Sequence, residues 1–362
     1  MLRHMALETG TTHSIDAAVW NCTTCNACGD PCPRGINIVD TIRAAREIQS
    51  RQQDIPASLL IPLNHLEIKG NPWGGDPHQR ADWTKDNHLP DFSPEQSYCL
   101  FTCCTTAYDD DPSRRIQQAG RALPKLLNQA DISFGSFGTQ EICCGDPALQ
   151  LGDEGIFAAI SQTNQTLFQK NRVEKILTTS PHCLHTFKNV YSNEKALPTI
   201  EHYTVLLDLL IQKGSLLPQF DLNASVTFHD PCYLGRYNGI YEAPRRILAS
   251  IPGLTLVEMR DNRGQSLCCG GGGGCAFMPQ GSDNALADAR IQQALDAQAG
   301  IIATACPYCM RVLQQASKTR GYAGTIVVQD VAELLLQSIE KTHERPLPIH
   351  INLELDQEVL HA

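Results

Sequence analysis

The sequence of 362 residues contains no apolar run of about 18 residues, the length that a membrane-spanning helix needs. It has no basic excess either, because 29 Lys and Arg residues stand against 39 Asp and Glu and the net charge is −10. A protein that binds nucleic acid normally presents a basic face, so we expect no nucleic-acid partner. The first residues, MLRHMALETGTTHS, lack the apolar segment and cleavage site of a secretory signal peptide. These absences predict a cytoplasmic protein, whose association with a membrane, if any, would go through a partner.

The sequence is instead rich in cysteine, with 16 residues. A reducing compartment disfavours disulfides, and free thiols that only fill a core need no regular spacing. Twice, however, a single cysteine, an adjacent pair and another single cysteine follow one another, first with gaps of 38 and 38 residues and then of 35 and 36. The two series are Cys104, Cys143, Cys144 and Cys183, and Cys232, Cys268, Cys269 and Cys306. This internal repeat predicts two homologous domains, at residues 96–218 and 222–340.

From residue 96 onward, short β-type runs alternate with helical patterns. The predicted strands are 97–101, 173–178, 225–228, 255–257, 300–303 and 325–328. The predicted helices are 114–129, 155–170, 203–212, 285–299 and 331–341. Such alternation is typical of parallel sheets with helices on their faces, so we predict an α/β fold. Residues 1–50 are predicted to be helical on both sides of a cysteine loop, 51–95 to form a linker and 341–362 a tail.

The cysteine loop near the N-terminus has the spacing C-x2-C-x2-C-x3-C-P, which is typical of bacterial ferredoxins. We call its cysteines the N-terminal run: Cys22, Cys25, Cys28 and Cys32. A zinc site would use paired C-x2-C knuckles instead, so the run predicts a cubane 4Fe-4S cluster in a ferredoxin-like segment. Only one copy is present, although in two-cluster ferredoxins the fourth cysteine serves the other cluster. Either the four gather around one cluster, or a partner chain completes the module, or a preceding segment is missing.

Five cysteines of the C-terminal repeat form a candidate catalytic and metal-binding site. We call them the second set: Cys232, Cys268, Cys269, Cys306 and Cys309. Zinc takes four ligands and rarely two adjacent cysteines, whereas five thiolates with an adjacent pair suit an extended iron–sulfur cluster. Two predicted strands run directly into members of the set, so the ligands would lie at the carboxyl ends of parallel strands, where open α/β sheets place their sites.

Five glycines, Gly270–Gly274, follow the adjacent pair directly. They predict either a flexible loop or a close approach of backbone N–H groups to cluster sulfurs, with Gly270, Gly271 and Gly272 as cofactor-binding positions. Cys275, just past the loop, is interpreted as a bystander thiol.

The N-terminal repeat offers only four matching cysteines, which we call the first set: Cys104, Cys143, Cys144 and Cys183. Thr186 is taken as the position that matches Cys309, and Cys99 and Cys103 are nearby spares. The first set is therefore predicted to bind an ordinary 4Fe-4S cluster, a modified one or none. Four polar residues flank ligand cysteines, and they are predicted to orient loops, to act as ligands or to donate protons to a thiol substrate. They are His182, His185, His229 and Asp230.

At these residues the chain resembles the cysteine-rich (CCG-domain) iron–sulfur family, which includes the catalytic subunit of heterodisulfide reductase and relatives attached to glycerol-3-phosphate, lactate and glycolate oxidation. HDPCYLGRYNGIY, LCCGGGGG and ACPYC match the family's second cysteine domain, and TAYDDD, ICCGDP and SPHCLHTFKNVY match its first. The N-terminal run and its flanks resemble half of the ferredoxin-like subunit of the same enzyme. The resemblance implies two pseudo-symmetric Rossmann-like CCG domains after a small helical ferredoxin-like segment, and a noncubane 4Fe-4S cluster on the second set.

The resemblance also implies a function. We expect an iron–sulfur subunit of a multi-component oxidoreductase that passes electrons between a ferredoxin-type cluster and a noncubane cluster acting on a thiol, disulfide or sulfur species. An alternative is an electron-transfer subunit that links a flavoprotein dehydrogenase to a quinone-reducing partner. A third hypothesis is an adaptor with structural clusters. The implied partners are flavoprotein or ferredoxin-type electron-transfer subunits and a membrane quinone-reactive subunit.

Overall fold

The computed structural model describes residues 19–29, 31–84, 89–108, 111, 113–191, 197–278 and 285–340. The predicted tail at 341–362 and most of the first predicted helical stretch lie outside these residues. None of the helices in the described ranges is long and apolar enough to cross a membrane.

Two four-stranded sheets, both entirely parallel, form the centre of the molecule. The strands are β1 (Tyr98–Phe101), β2 (Phe134–Gly135), β3 (Lys175–Thr178), β4 (Thr199–His202), β5 (Ala224–Phe228), β6 (Leu254–Leu256), β7 (Ile301–Thr304) and β8 (Val327–Asp330). Their order is β2-β1-β3-β4 in the first sheet and β6-β5-β7-β8 in the second. The second order repeats the first with every number raised by four, which confirms the predicted α/β fold with two pseudo-symmetric parallel sheets.

Helices cover the sheets and form most of the N-terminal region. Those in the described residues are α1 (Ile38–Arg51), α2 (Ala57–Lys69), α3 (Cys104–Ala107), α4 (Arg115–Gly120), α5 (Ala122–Gln129), α6 (Asp146–Gln150), α7 (Glu154–Lys170), α8 (Pro181–His185), α9 (Tyr203–Gln212), α10 (Glu242–Ala249), α11 (Ala285–Asp296), α12 (Pro307–Thr319) and α13 (Val331–Ile339). We call the first sheet with its helices α3–α9 the first repeat, and the second sheet with α10–α13 the second repeat.

All six predicted strands are present, with bounds shifted by one or two residues. Two further strands carry no clear sequence signal, since β2 has only two residues and β4, Thr-Ile-Glu-His, is mostly polar. The predicted helix at 114–129 is wrong as one element, because it divides at Arg121 into α4 and α5.

The two repeats pack through helices related by the pseudo-symmetry, α9 against α10 and α5 against α13. Leu126, Leu207, Ile247 and Leu335 from these four helices are fully buried in one shared core. Each such side chain contributes roughly 1.5–3 kcal/mol on burial. This core fixes the carboxyl ends of the two sheets relative to each other.

The region between the N-terminal run and the first sheet packs on the first repeat. Helix α2 places Leu59, Leu63 and Leu66 in the same core cluster as the first set. Asp91 forms a parallel bridge with Ser136, which continues the first sheet past β2. The region predicted as a linker thus contributes to the walls of the first set's site.

Candidate metal centre

The structure brings the five cysteines of the second set together. Their thiols lie within hydrogen-bonding reach of one another in a continuous order, Cys232 to Cys268, Cys268 to Cys269, Cys269 to Cys309 and Cys309 to Cys306. All five are buried, with at most 7% of any residue exposed. They follow β5, β6 and β7, so the set lies at the carboxyl end of the sheet beside β5, where the strand order reverses.

Three thiols of the second set have a lowered pKa, those of Cys268, Cys269 and Cys306. Hydrogen bonds from Cys232 and Cys25 lower the pKa of the Cys268 thiol, and those from Cys268 and Cys309 hold the pKa of Cys269 well below its usual range. The thiolate is the form in which cysteine binds iron.

Glycine after each adjacent pair lets the backbone turn and donate to sulfur. The N–H of Gly270 donates to Cys268 Sγ at 3.3 Å, and the N–H of Gly145 donates to Cys143 Sγ at 3.4 Å. The φ angles of these glycines are +88° and +91°, a conformation that L side chains avoid. In both repeats, therefore, a glycine N–H stabilises the negative charge of a thiolate in the adjacent pair.

Further along the glycine loop, Gly272 and Gly273 contact the N-terminal run instead of the second set. A Cβ on Gly272 would lie 2.3 Å from Thr23 O, and one on Gly273 would lie 2.1 Å from Cys22 O. These positions need glycine because two backbones meet there, a role for Gly272 that sequence reasoning did not foresee.

The N-terminal run reaches the second set through Cys25. The thiol of Cys25 lies within hydrogen-bonding reach of that of Cys268. Arg236 Nε donates to Cys25 O at 2.7 Å, and the hydroxyl of Tyr237 donates to Thr24 O at 2.7 Å. The second repeat thus holds the loop by its backbone.

The other members of the run lie further out. Cys28 is exposed and interacts electrostatically with Cys22 and Cys25. Backbone N–H groups of Ile36, Arg34 and Gly35 lower the pKa of Cys32, which lies at the surface. Cys22, Cys25 and Cys28 therefore group together, as expected where the fourth cysteine serves a different cluster.

Arg46 of α1 joins three parts of the chain. Its buried guanidinium donates to Cys22 O at 2.7 Å, to Gln150 O at 2.7 Å and to Gly273 O at 2.8 Å, with further bonds to Val19 O. The N-terminal run, the first repeat and the glycine loop are thus tied to one side chain. A lone arginine within a helical pattern gave no sequence signal of this role.

The first set is also assembled. The thiols lie within hydrogen-bonding reach of one another in the order Cys104, Cys143, Cys144 and Cys183. The thiol of Cys183 in turn lies within hydrogen-bonding reach of that of Cys103, which sequence analysis left as a spare. All five are buried.

The strand register corrects the match between the two repeats. Thr178 pairs with His202 at the end of the first sheet, and Thr304 pairs with Asp330 at the end of the second. Two residues later, Ser180 and Cys306 are the N-caps of α8 and α12, and each is followed by proline. Cys183 therefore corresponds to Cys309, and Ser180 to Cys306. The assignment of Thr186 to Cys309 is wrong, and the residue replaced in the first repeat is the counterpart of Cys306.

Two aromatic rings lie between the sets. His182 and Tyr308, at equivalent positions one residue after the helix-starting proline, have ring centroids 4.9 Å apart. Burial opposes the charged form of His182, but Asp146, whose Oδ2 is 2.8 Å from His182 Nδ1, outweighs it and raises the pKa of the imidazole. His182 faces the charges of Cys306 and Cys268, and Tyr308 those of Cys103 and Cys143.

His229 presents one ring nitrogen to the second set. Arg290 Nε donates to His229 Nδ1 at 3.0 Å, so Nδ1 is an acceptor and Nε2 carries the proton of the neutral ring. Nε2 is buried without another partner, and a ring nitrogen of His229 lies within 4.8 Å of the sulfurs of Cys269 and Cys309. The side chain is thus oriented as a donor towards sulfur rather than as a ligand.

Asp230 orients neighbouring loops, which is one of the roles that sequence analysis left open for it. Its carboxylate accepts two hydrogen bonds from Arg245, at 2.6 and 2.9 Å, and one from the N–H of Arg263 at 2.8 Å.

These donor sets fit iron–sulfur clusters. All 16 cysteines are free thiols, and the two sets offer soft sulfur ligands in buried positions. The N–H groups of Gly145 and Gly270, and the unpartnered Nε2 of His229, are donors suited to anionic sulfur. The clusters would be held by the N-terminal run and by the cysteine sets.

Comparison with known proteins identifies the family. The profile of the cysteine-rich domain matches residues 98–188 and 226–314, one match in each repeat. The chain belongs to the cysteine-rich (CCG) domain family. Among its relatives is a component of the dihydromethanophenazine:CoB–CoM heterodisulfide reductase of Methanosarcina barkeri, 31% identical over 89% of this chain and 78% of that protein. The family resemblance of the sequence is thereby confirmed.

Two other relatives are more similar in sequence but much longer. The chain is 36% identical to the probable iron–sulfur-binding oxidoreductase FadF of Bacillus subtilis and 33% identical to the EtfAB:quinone oxidoreductase of Syntrophomonas wolfei, in each case over 89% of this chain and 46% of the relative. This CCG-family chain thus spans about half the length of these curated relatives. Iron–sulfur binding is supported by the family and by these names.

Proposed function

We propose that the chain is the iron–sulfur part of a multi-component oxidoreductase and conducts electrons between its N-terminal run and its second set. The observation that carries this proposal is the docking of the run on the second repeat, where Arg236 Nε donates to Cys25 O at 2.7 Å and the Cys25 thiol lies beside that of Cys268. The proposed units are a ferredoxin-like segment at 1–50, a linker at 51–95, CCG domains at 96–218 and 222–340 and a tail at 341–362. When bound, a cubane 4Fe-4S cluster on the run and a noncubane one on the second set would supply one-electron transfer.

The chain's own residues set the environment for that transfer. Burial of the second set excludes water, and the N–H of Gly270 offsets negative charge on Cys268. Arg46 and Arg236 hold the backbone of the N-terminal run, so the spacing between the run and the second set is fixed by four or more hydrogen bonds. A fixed, dry contact suits electron transfer because little has to reorganise when charge arrives.

The electron-transfer partners outside the chain are inferred from the names of its relatives. FadF is named an iron–sulfur-binding oxidoreductase, and the Syntrophomonas wolfei protein is named for transfer from EtfAB to quinone. By analogy, a flavoprotein or ferredoxin-type subunit would exchange electrons with the N-terminal run, and a membrane quinone-reactive partner would exchange them at the other end. The burial of the second set, with Cys306 fully enclosed, favours this relay over direct attack on a substrate.

A second candidate function is reduction of a disulfide, as the name of the Methanosarcina barkeri relative indicates for that protein. It is favoured by the pair of His182 and Asp146 beside Cys306, since cleavage of a disulfide requires protons as well as electrons.

Rapid mixing of reduced, anaerobically purified chain with an acceptor separates the two candidates. The relay predicts that menadione, a quinone, reoxidises the iron–sulfur absorbance quickly while oxidised glutathione, a disulfide, does not. The reverse result would support the second candidate. Cys268→Ser should slow reoxidation, whereas Cys99→Ser, a buried thiol in β1 outside both sets, should not. A chain without iron would refute both candidates.

A further inference from the structure

The two repeats arrange their thiols in the same order of contacts. In the second repeat that order is Cys232, Cys268, Cys269, Cys309 and Cys306. In the first repeat it is Cys104, Cys143, Cys144, Cys183 and Cys103. The first four members correspond pairwise in the register of the sheets, and only the fifth comes from a different place in the chain.

The fifth place in the second repeat belongs to Cys306, the N-cap of α12, and its counterpart in the first repeat is Ser180. A serine hydroxyl is a poor ligand for iron because it stays protonated and oxygen is hard. Cys103 instead approaches Cys183 from the end of β1, where it precedes α3. Its residue is only 2% exposed, so the thiol is buried in the interior rather than at the surface.

We propose that Cys103 replaces the missing thiol at position 180 and gives the first repeat a complete five-thiol site for an iron–sulfur cluster. The inference rests on the proposed iron–sulfur function and assigns a ligand that neither the family's spacing nor the second repeat contains. The position equivalent to Cys103 in the second repeat is Pro231, one residue before Cys232.

The charges around the first set suit a group with negative sulfurs. Arg80, 1% exposed, donates from Nη1 to Cys104 Sγ at 3.4 Å and from Nη2 to Thr102 O at 2.7 Å. Its positive charge lies beside Cys104 and is shared with the buried carboxylate of Glu141, whose Oε2 is 3.4 Å from Arg80 Nε. Without a positive charge nearby, burial would oppose several thiolates. The N–H of Gly145 adds a second donor, to Cys143.

Unpartnered hydroxyls beside the set give an independent sign of an absent group. The oxygens of Thr105, Ser180 and Thr186 are buried without hydrogen bonds, and these residues stand next to Cys104 or within three residues of Cys183. Buried hydroxyls almost always find an acceptor, and when they do not, a bound species is a physical explanation. Cluster sulfides and thiolates are acceptors of the required kind.

The test is iron and acid-labile sulfide per chain, with EPR and Mössbauer spectra, on the full anaerobically purified chain. We expect Cys103→Ser to lose the iron of one cluster, or to change the spectrum of one cluster, while the other spectral components stay as in the unsubstituted chain. Cys99→Ser is the matched control, since Cys99 is equally buried in the same strand region but its pKa is raised by burial and Glu141 rather than by another thiol. This control should keep all its iron.

A rescue variant distinguishes the loss of a ligand from a folding defect. Adding Ser180→Cys to Cys103→Ser places the fifth thiol where the second repeat has it, so iron should return to the level of the unsubstituted chain. Iron and spectra in Cys103→Ser that match Cys99→Ser would overturn the inference while leaving the proposed function intact. A folded double variant that regains no iron would overturn it too. If the unsubstituted chain itself bound no iron, the proposed function would fail first.

Discussion

Substitution of Gly273 tests whether the glycine loop holds the N-terminal run against the second set. An added Cβ would lie 2.1 Å from Cys22 O, far closer than any ordinary contact, and the obstacle is backbone that cannot rotate away. The carbonyl of Gly273 also accepts a hydrogen bond from Arg46 at 2.8 Å. Gly273→Ala should therefore push the loop of Cys22 outward and disturb the bonds of Arg46.

The expected loss of stability has two parts. Gly273 has φ +62°, and a left-handed residue with a Cβ costs about 1–2 kcal/mol. Overpacking against fixed atoms costs about 1–3 kcal/mol more. Gly214→Ala isolates the second part, because Gly214 has φ +73° but no atom within 4 Å of its added Cβ. Gly273→Ala should thus be less stable than Gly214→Ala by about 1–3 kcal/mol.

Anaerobic denaturant unfolding and iron analysis measure both effects. We expect Gly273→Ala to unfold at lower denaturant than Gly214→Ala and to lose the N-terminal EPR signal first, since only the N-terminal run is displaced. Equal stability and equal iron in the two variants would refute the account of the loop as a docking surface.

Three further substitutions probe single contacts. Arg46→Met should lower the free energy of unfolding by at least about 3 kcal/mol, because several buried carbonyls lose their donor. A loss below about 1 kcal/mol in denaturant unfolding would contradict the role of Arg46 in joining these parts of the chain. His229→Phe keeps a ring but removes the N–H, so it should lower the midpoint potential of the second-set cluster in an EPR-monitored titration. His229→Gln keeps an N–H donor, so its potential should stay close to that of the unsubstituted chain. Equal potentials in all three proteins would exclude the donor role. Cys25→Ser should abolish the N-terminal EPR signal and spare the second-set signal, and loss of both would mean that Cys25 belongs to the second site.

Sequence predicted the parts of this structure that have a local pattern. The duplicated cysteine spacing and the alternation of strands and helices indicated the fold, and the five cysteines of the second set do converge. Buried arginines could not be predicted in the same way. Arg46, Arg80 and Arg290 donate to Gly273, Cys104 and His229, which lie 227, 24 and 61 residues away, and nothing near the arginines in the sequence marks those partners.

The incorrect match of Thr186 to Cys309 shows that residue gaps alone can misalign the two repeats. Gaps measured from each adjacent pair matched Cys183 to the nearer cysteine, Cys306. The dipeptide Ser180-Pro181 against Cys306-Pro307 carried the right alignment, because proline marks the first turn of a helix in both repeats. Helix starts are fixed to the ends of strands, whereas loop lengths are free to vary, so the proline is the better landmark.

The pseudo-symmetry explains why each cysteine site needs both repeats rather than its own repeat alone. His182 and Tyr308 stand at equivalent positions, yet each turns towards the cysteines of the other repeat. Their rings meet with centroids 4.9 Å apart, so a direct side-chain connection between the first and second sets passes through this pair. Each repeat thus supplies the other with the aromatic wall of its site, and a single repeat would leave its thiols without that wall. The two sites therefore depend on the shared core of Leu126, Leu207 and Leu335, which fixes the two repeats relative to each other.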